Sequence, residues 1–267
     1  MTSRPPADPA VRPRPSRAST QGERPSSPRR RAPATRRAER RAFRREEILR
    51  TAFALVEEGG LDAVTTTELA KRTGAALGAL YRFFPSKAAV IVALQRQAID
   101  ELLVDLQAAT TSATTRAAGQ GTRVAALAAL VAVADVVFGE PWTHPPRFRL
   151  IDEALSRLTP IHSDDDASAV EAALQPLLAL AHERVVAFVG NAAPRPEHRR
   201  FSFALWASLH GVTHFIKRDR LVAAEQQSAR VAATTVGLLL RGLGANEDEW
   251  RAAWIAAAPR HLVGDES

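Results

Sequence analysis

The segment at residues 65–87 constrains the fold of this chain more than any other. It reads TTTELAKRTGAALGALYRFFPSK and holds Gly74 between two short stretches of helical periodicity. A glycine tolerates the left-handed backbone conformation that a tight turn between two helices requires. The hydroxyls at 65–67 and at Ser86 are suited to cap helix N-termini. The segment therefore predicts two short helices joined by a turn, with a longer helix after Ser86.

The second helix of this predicted hairpin has a buried side and a narrow outer side. Leu80 is spaced to anchor it, whereas Leu77, Gly78 and Ala79 leave a face small enough for the major groove of DNA. Gly78 costs about 1 kcal/mol of helix stability relative to alanine, and close approach to DNA is a physical reason for that cost. A hairpin that packs only as core is the alternative, but it would not need the polar residues Thr65–Thr67, Arg72, Tyr81, Arg82 and Lys87.

The segments before and after the hairpin also have helical periodicity. Apolar residues from about Ala42 recur on one helical face until Gly59-Gly60, which is expected to end that helix. After Ser86 a long apolar stripe runs to residue 106. Residues 108–121 are polar and end in GQG, which predicts a linker.

The second half of the chain is predicted to be entirely helical, with no alternating strand pattern. GEPWTHPP at 139–146 is expected to be a rigid loop between helices. Two further amphipathic helices are expected at 197–218 and 223–241. Asn246 and Glu249 have the spacing of a capping box at the start of a short last helix.

Composition and charge exclude several classes of protein. The 267 residues include no cysteine, so neither a disulfide framework nor a thiolate metal site is possible. We expect no membrane-spanning helix and no secretory signal. The net charge of +7 is concentrated in residues 1–38, where ten arginines face two acidic residues. We expect this Arg/Pro-rich segment to be disordered, either as a solubilising tail (or the product of a misassigned start codon) or as an arm that touches DNA phosphates.

The hairpin and its flanking residues resemble the DNA-binding domain of the TetR family of bacterial transcriptional regulators. The family frame is matched by Gly74, Gly78, Leu80, Tyr81, Phe84, Ser86 and Lys87, and residues 44–65 are similar to the family's first helix. The resemblance implies an all-α, TetR-like fold: a three-helix helix-turn-helix (HTH) domain at 42–102, with its motif at about 65–84, and a helical ligand-binding and dimerisation domain at 103–245. A short helix and tail would follow at 246–267.

The same resemblance implies which residues contact DNA. They are Thr65, Thr66, Leu77, Gly78, Ala79, Tyr81, Arg82 and Lys87. Two positions depart from the family pattern. Ala75 replaces a usual valine, and Ala76 replaces a usual serine or threonine that would cap the second helix, a loss of about 1 kcal/mol.

A second, shorter resemblance concerns the C-terminal half. ALWASLHGVTHF at 204–215 resembles the Trp-His-Gly signature of one TetR subgroup. Trp206, His210 and His214 recur at intervals of four and so share a helical face. Together with Trp142, His144 and His182 they are candidates for a ligand pocket, although ordinary core or dimer packing explains them equally well. His210 and His214 also have metal-ligand spacing, but no acidic residue lies beside them in the sequence, so no metal site is predicted.

The resemblance implies a homodimeric transcriptional repressor that leaves a palindromic DNA operator when a small-molecule effector binds. We expect it to act in the cytoplasm at the nucleoid, without cofactor, enzymatic activity or membrane partner. Two alternatives remain. One is a non-specific architectural DNA binder driven by the Arg-rich tail. The other is a histidine-based enzyme, for which the sequence offers no nucleophile elbow, phosphate loop, dinucleotide fingerprint or paired carboxylates.

Overall fold

The structure, a computed structural model, describes residues 33–156, 164–190 and 196–263. These residues form α-helices joined by short turns, with two short 3₁₀ helices at Ile216–Leu221 and Ala224–Gln226. The all-α prediction is confirmed for the described residues. The α-helices are α1 Pro33–Ala63, α2 Thr66–Thr73, α3 Leu77–Tyr81, α4 Lys87–Arg116, α5 Thr122–Thr143, α6 Pro145–Ser156, α7 Asp164–Val189, α8 Pro196–Thr213, α9 Ser228–Gly242 and α10 Glu247–Ala257.

The chain divides into two compact units, residues 1–42 and residues 43–267. In the first unit the described residues, 33–42, are helical. The predicted disorder of residues 1–38 is therefore wrong for 33–38. The reason is that Pro33 stands at the first helical position, where its missing N–H is harmless, and that alanine, arginine and glutamate follow it. Residues 1–32 lie outside the described part of the chain.

In the second unit, local capping signals set the ends of the first helices. Gly59 and Gly60 have non-helical dihedrals, with φ of 72° at Gly60, and this kink ends the first helical segment of α1. The Thr65 side chain accepts the Glu68 N–H and caps α2, and Gly74 ends it with φ of 61°. The Ser86 side chain accepts the Ala89 N–H and caps α4. Each of these ends was predicted from the sequence.

Helix α4 is longer than predicted and removes most of the expected linker. It continues to Arg116, so residues 108–116 are helical and only 117–121 connect it to α5. Thr110 and Ala113 are buried, and the hydroxyls of Thr114 and Thr115 donate to the carbonyls four residues earlier. Packing therefore extends the helix through a polar segment. One continuous helix carries the chain from the hairpin into the C-terminal bundle, across the domain boundary placed at 102/103.

The loop predicted at 139–146 is also absent. Helix α5 includes Pro141 and runs to Thr143, and α6 begins at Pro145, so His144 alone separates them. Gly139 and Glu140 are buried. Packing of this segment in the bundle keeps the last turns of α5 helical, although its glycine and proline predicted a loop. Pro145 occupies the first position of α6, where proline is favourable.

Two described helices are long and apolar enough to cross a membrane by length and composition. They are α5 and the part of α7 from Asp165 to Val189. The apolar window of α5 is 78% buried inside the protein, because this helix packs against α4, α7 and α10 as the centre of the bundle. A buried core helix passes the same test, so the two helices are weak evidence for a membrane span.

The helices near the C-terminus differ from the prediction in their ends. Helix α8 stops at Thr213 instead of 218. The two 3₁₀ helices follow, and α9 starts at Ser228 instead of 223. The Asp219 carboxylate accepts both the N–H and the hydroxyl of Ser228, which fixes the start of α9. The start of α9 thus depends on a contact between two residues nine positions apart in the chain.

The predicted capping box of α10 is present and gives a pH-dependent prediction. The Asn246 side chain accepts the Glu249 N–H, and Glu249 accepts the Asn246 N–H. Glu249 also pairs with Arg123, at 2.6 Å, and this hydrogen bond lowers the pKa of Glu249. A carboxyl whose pKa is lowered by folding stabilises the protein above its unfolded pKa of about 4.3, and this stability is lost as the pH falls through the folded pKa.

Replacing Glu249 with glutamine is expected to lower the free energy of unfolding by roughly 0.5–1 kcal/mol at pH 7, because the half-exposed Arg123 loses its counter-charge. The difference should shrink as the pH falls below the unfolded value of about 4.3 and through the lowered pKa of folded Glu249, because the wild-type carboxyl then becomes protonated as well. Urea unfolding at several pH values measures it. Glu247→Gln, in an exposed pair with Arg241, is the matched control and should show the smaller loss.

Candidate DNA interface and effector cavity

Helix α3 has one buried and one exposed side. Leu80 is fully buried and Phe84 nearly so, and both belong to the hydrophobic core. Leu77 and Tyr81 are each 45% exposed although both are large apolar or aromatic residues. They lie four residues apart, so with Gly78 they form one outward face. The structure thus places these three predicted DNA contacts at exposed positions, with Ala79 half-buried beside them.

Nothing within the described protein explains why residue 78 is a glycine. A Cβ added there would meet no heavy atom within 4 Å, and Gly78 is absent from the positive-φ residues. Alanine would fit and would favour the helix by about 1 kcal/mol. The described fold therefore does not require a glycine at residue 78.

The polar residues that are predicted to contact DNA also have hydrogen-bond donors that could reach a phosphate or a base. The Thr65 hydroxyl oxygen accepts the Glu68 N–H, which leaves its own O–H to donate. Arg82 is exposed directly after α3, and Lys87 is the half-buried first residue of α4. Among the described residues neither forms an ion pair. Thr66, half-buried, is the first residue of α2.

Arg72 is exposed, but its guanidinium is engaged by two carboxylates, so it does not belong with these donors. Its guanidinium donates twice to Glu58, at 2.6 Å each, and once to Glu68, at 3.0 Å. The hydrogen bond from Arg72 lowers the pKa of Glu58. Arg72 therefore links α1 to α2. We no longer include it in the polar face that the sequence predicted for DNA binding.

The start of α3 confirms the consequence expected of Ala76. No side-chain hydrogen bond caps this end of the helix. The Ala76 carbonyl accepts the N–H groups of Ala79 and Leu80, so only the backbone holds the first turn.

A cavity of about 170 Å³ lies in the helical bundle. Five helices contribute to its wall, which is apolar except for Glu171 and Ser202. Of the six candidates for a ligand pocket, only Trp206 lines it. The other lining residues are Leu102 and Leu106 of α4, Val133 and Val137 of α5, Leu155 of α6, Leu174, Leu177, Leu178 and Ala181 of α7, and Phe203, Leu205 and Leu209 of α8.

His210 and His214 lie beside the cavity wall, around an acidic residue that the sequence did not reveal. The Nε2 atoms of His210 and His214 are 3.0 Å and 3.3 Å from Oδ1 of Asp152 in α6. No acidic residue neighbours these histidines in the sequence, but folding places Asp152 beside them although it lies 58 positions before His210. The Trp206 ring stacks on His210 with centroids 5.1 Å apart. Burial lowers the pKa of His210 and outweighs the opposing effect of Asp152.

The three other pocket candidates are elsewhere. Trp142 packs against Phe138 and stacks on His261. His144 lines a second, more polar cavity of about 410 Å³. The ring of His182 lies 6.5 Å from that of His198. The prediction of one aromatic and imidazole pocket is therefore wrong: among the described residues its members are divided between several places.

The sequence did not single out a buried charge cluster next to the second cavity. Arg147 and Glu140 have side chains that are only 5% and 4% exposed, and Arg147 also donates to Asp105 at 2.6 Å. Burial by itself lowers the pKa of Arg147, but the hydrogen bonds with Glu140 and Asp105 raise it above its usual value. The cluster joins α4, α5 and α6.

Comparison with known proteins supports the assignment of the N-terminal half. Residues 48–94 match the family of bacterial regulatory proteins, tetR family. Over 55 residues the chain is 46% identical to the HTH-type transcriptional repressor KstR of Rhodococcus jostii (strain RHA1). This match covers 20% of the chain and 26% of the relative, so the chain matches only about a quarter of that protein's length.

Two solved structures share the fold over most of the chain. A protein with unknown function from Rhodococcus sp. RHA1 has a TM-score of 0.55 and 20% identity, and covers 76% of this chain and 96% of its own. The transcriptional regulator FadR from Bacillus subtilis, in complex with stearoyl-CoA, has a TM-score of 0.53 and 15% identity, with 74% and 98% covered. Identities this low show the fold alone.

The family match at residues 48–94 includes the hairpin of α2 and α3. The similarity to solved structures extends over most of the chain and so includes helices of the C-terminal bundle. A regulatory family also agrees with the expectation that the chain is not an enzyme, whereas the resemblance to the Trp-His-Gly subgroup stays a prediction. Residues 48–94 thus form a DNA-binding domain of the bacterial tetR regulatory family, and the chain shares its all-helical fold with the solved structures.

Proposed function

We propose that this protein is a homodimeric transcriptional repressor that binds a palindromic operator through α3 and leaves it when an apolar effector enters the cavity. The observation that carries the proposal is the outer face of α3, where Leu77 and Tyr81 are exposed around a glycine that the fold itself does not require. A recognition helix of this shape fits the major groove, and Thr65, Thr66, Arg82 and Lys87 would contact phosphates or base edges. Its site of action would be the cytoplasm, at the nucleoid.

The chemistry of the effector follows from the cavity wall. A cavity of about 170 Å³ with leucine, valine and alanine around it suits a small apolar molecule, about the size of one aromatic ring. Glu171 and Ser202 offer the few polar contacts for orientation.

Helix α4 provides a route from the effector to DNA. It begins at Lys87, a proposed DNA contact, and supplies Leu102 and Leu106 to the cavity wall. An effector that binds better to a conformation with α4 displaced would change the distance between the two recognition helices of a dimer. It shifts the equilibrium only to the extent that it prefers that conformation.

The dimer is proposed from the end of the bundle formed by α8 and α9. Val231 and Leu238 lie seven residues apart on α9 and are both exposed, which leaves an apolar stripe on the surface of the single chain. A second copy packed against it would form a two-fold interface. Two-fold symmetry of the protein is matched by a palindromic operator with half-sites at least one helical turn apart.

Selection of bound sequences from a random DNA pool tests this function. The full chain should enrich a palindromic consensus, and a Tyr81→Phe, Arg82→Ala variant should lose it. A variant that lacks residues 1–32 distinguishes this function from non-specific architectural DNA binding, the alternative that the arginine-rich N-terminus favours. If the truncated chain keeps the consensus, the HTH domain carries specificity. If the full chain enriches no consensus and the truncation removes both affinity and its salt dependence, the protein binds DNA non-specifically.

A further inference from the structure

Asp152, His210 and His214 form a compact group of donor atoms where α6 meets the end of α8. Each residue offers one ligand atom, and these atoms lie within 4.8 Å of one another. His210 is in the last turn of α8, and His214 follows that helix directly. Their interval of four residues places both rings on one side, and Asp152 faces them from α6.

Two of the three distances within this group are close to those between neighbouring ligands of a four-coordinate metal ion. Bonds of about 2.0–2.1 Å in a tetrahedral site place neighbouring ligand atoms roughly 3.3 Å apart. The two histidine nitrogens are 3.0 Å and 3.3 Å from the Asp152 oxygen. An ion could therefore enter with small side-chain rotations. Two imidazoles and one carboxylate favour zinc and similar transition metals over Mg²⁺ or Ca²⁺, which prefer oxygen ligands.

We propose that Asp152, His210 and His214 bind one divalent transition-metal ion of the zinc class. The exposed fractions increase from 13% at His210 to 29% at Asp152 and 44% at His214, which gives an ion a path from the surface. The His210 ring packs against Trp206 and Phe148, with centroids at 5.1 Å and 5.7 Å. These aromatic contacts fix the most buried ligand before the ion binds.

A second group of similar composition differs because it already contains a positively charged side chain. Asp105, Glu140 and His144 also bring their ligand atoms within 4.8 Å of one another. Arg147 already donates to both carboxylates and lies 2.9 Å from Nδ1 of His144. The guanidinium supplies the positive charge that an ion would bring, so we assign no metal to that group.

Metal titration of the untagged full-length protein tests the proposal. Calorimetry with Zn²⁺ should show one ion per chain, and Co²⁺ should develop the visible absorption bands of a four-coordinate site. His214→Ala changes the most exposed ligand and so disturbs the fold least. It should weaken Zn²⁺ binding by at least about 100-fold, since the loss of mere outer-shell partners costs 10–100-fold. Asp152→Asn should weaken binding as well, and His144→Ala should leave it unchanged.

Thermal unfolding provides a second measurement that does not depend on spectroscopy. Zn²⁺ should raise the Tm of the wild type and of His144→Ala, but not that of His214→Ala, because an ion that binds only the folded protein stabilises it. Mg²⁺ should have no such effect. Equal Zn²⁺ affinity in the wild type and His214→Ala would overturn the proposal, as would a wild type that binds neither Zn²⁺ nor Co²⁺. Both outcomes leave the proposed repressor function intact, since that is tested by DNA selection.

Discussion

Replacing Arg147 with methionine is expected to lower the free energy of unfolding by about 3 kcal/mol, the lower end of the range for breaking a buried ion pair. Methionine fills similar volume but leaves the Glu140 carboxylate, whose side chain is 4% exposed, without its main counter-charge. Asp105 loses a partner at the same time. Glu140 also borders the cavity of about 410 Å³, where water could partly solvate the carboxylate, and this places the loss at the lower end.

Urea unfolding of wild type and variant at one fixed protein concentration measures this loss, because the stability of a dimer depends on concentration. Arg149→Met is the matched control: it lies on the same helix, is exposed and should change stability by less than about 0.5 kcal/mol. A double variant, Glu140→Leu with Arg147→Met, should recover much of the loss, since it removes the unpaired charge. A loss in Arg147→Met no larger than that of the control would show that the cluster contributes little to stability.

Short-range signals account for what the sequence predicted correctly. The caps at Thr65, Ser86 and Asn246, and the left-handed turn at Gly74, each depend on residues no more than four positions apart. Such contacts form inside one turn of helix, so their spacing in the sequence fixes their geometry. The HTH domain is built largely from these signals, which is why its elements were predicted in the right order.

Long-range contacts account for what the sequence did not predict. Residues 108–116 and 139–143 are polar or contain glycine and proline, but burial of Thr110, Ala113 and Glu140 in the bundle keeps them helical. The ion pair of Arg147 with Asp105, and the approach of Asp152 to His210, join residues far apart in the chain. No local pattern encodes such pairs. For the same reason the six ligand-pocket candidates could not be sorted before the fold was known.

Gly78→Leu is the substitution expected to have the largest effect on DNA binding. Leucine is among the better helix formers and the position has open space, so the stability of the variant should equal or exceed that of the wild type. Its side chain would extend from the outer face of α3, between Leu77 and Tyr81, and hold the backbone away from the base edges. A lost close contact costs about 1–3 kcal/mol in one half-site, and a dimer carries the substitution twice. Operator affinity should therefore fall by about 100-fold or more.

Measuring both stability and operator affinity distinguishes a glycine that faces DNA from a glycine that the fold requires. Gly78→Ala should give a smaller loss of affinity with a gain in helix stability of up to about 1 kcal/mol. Thr111→Ala, at an exposed position on α4 outside both proposed surfaces, should leave operator affinity unchanged. Fluorescence anisotropy with the selected operator at fixed salt gives the affinities, and urea unfolding gives the stabilities. If Gly78→Leu unfolds more easily and binds DNA as tightly as wild type, the glycine serves the fold, and the outer face of α3 is not the surface that reads DNA.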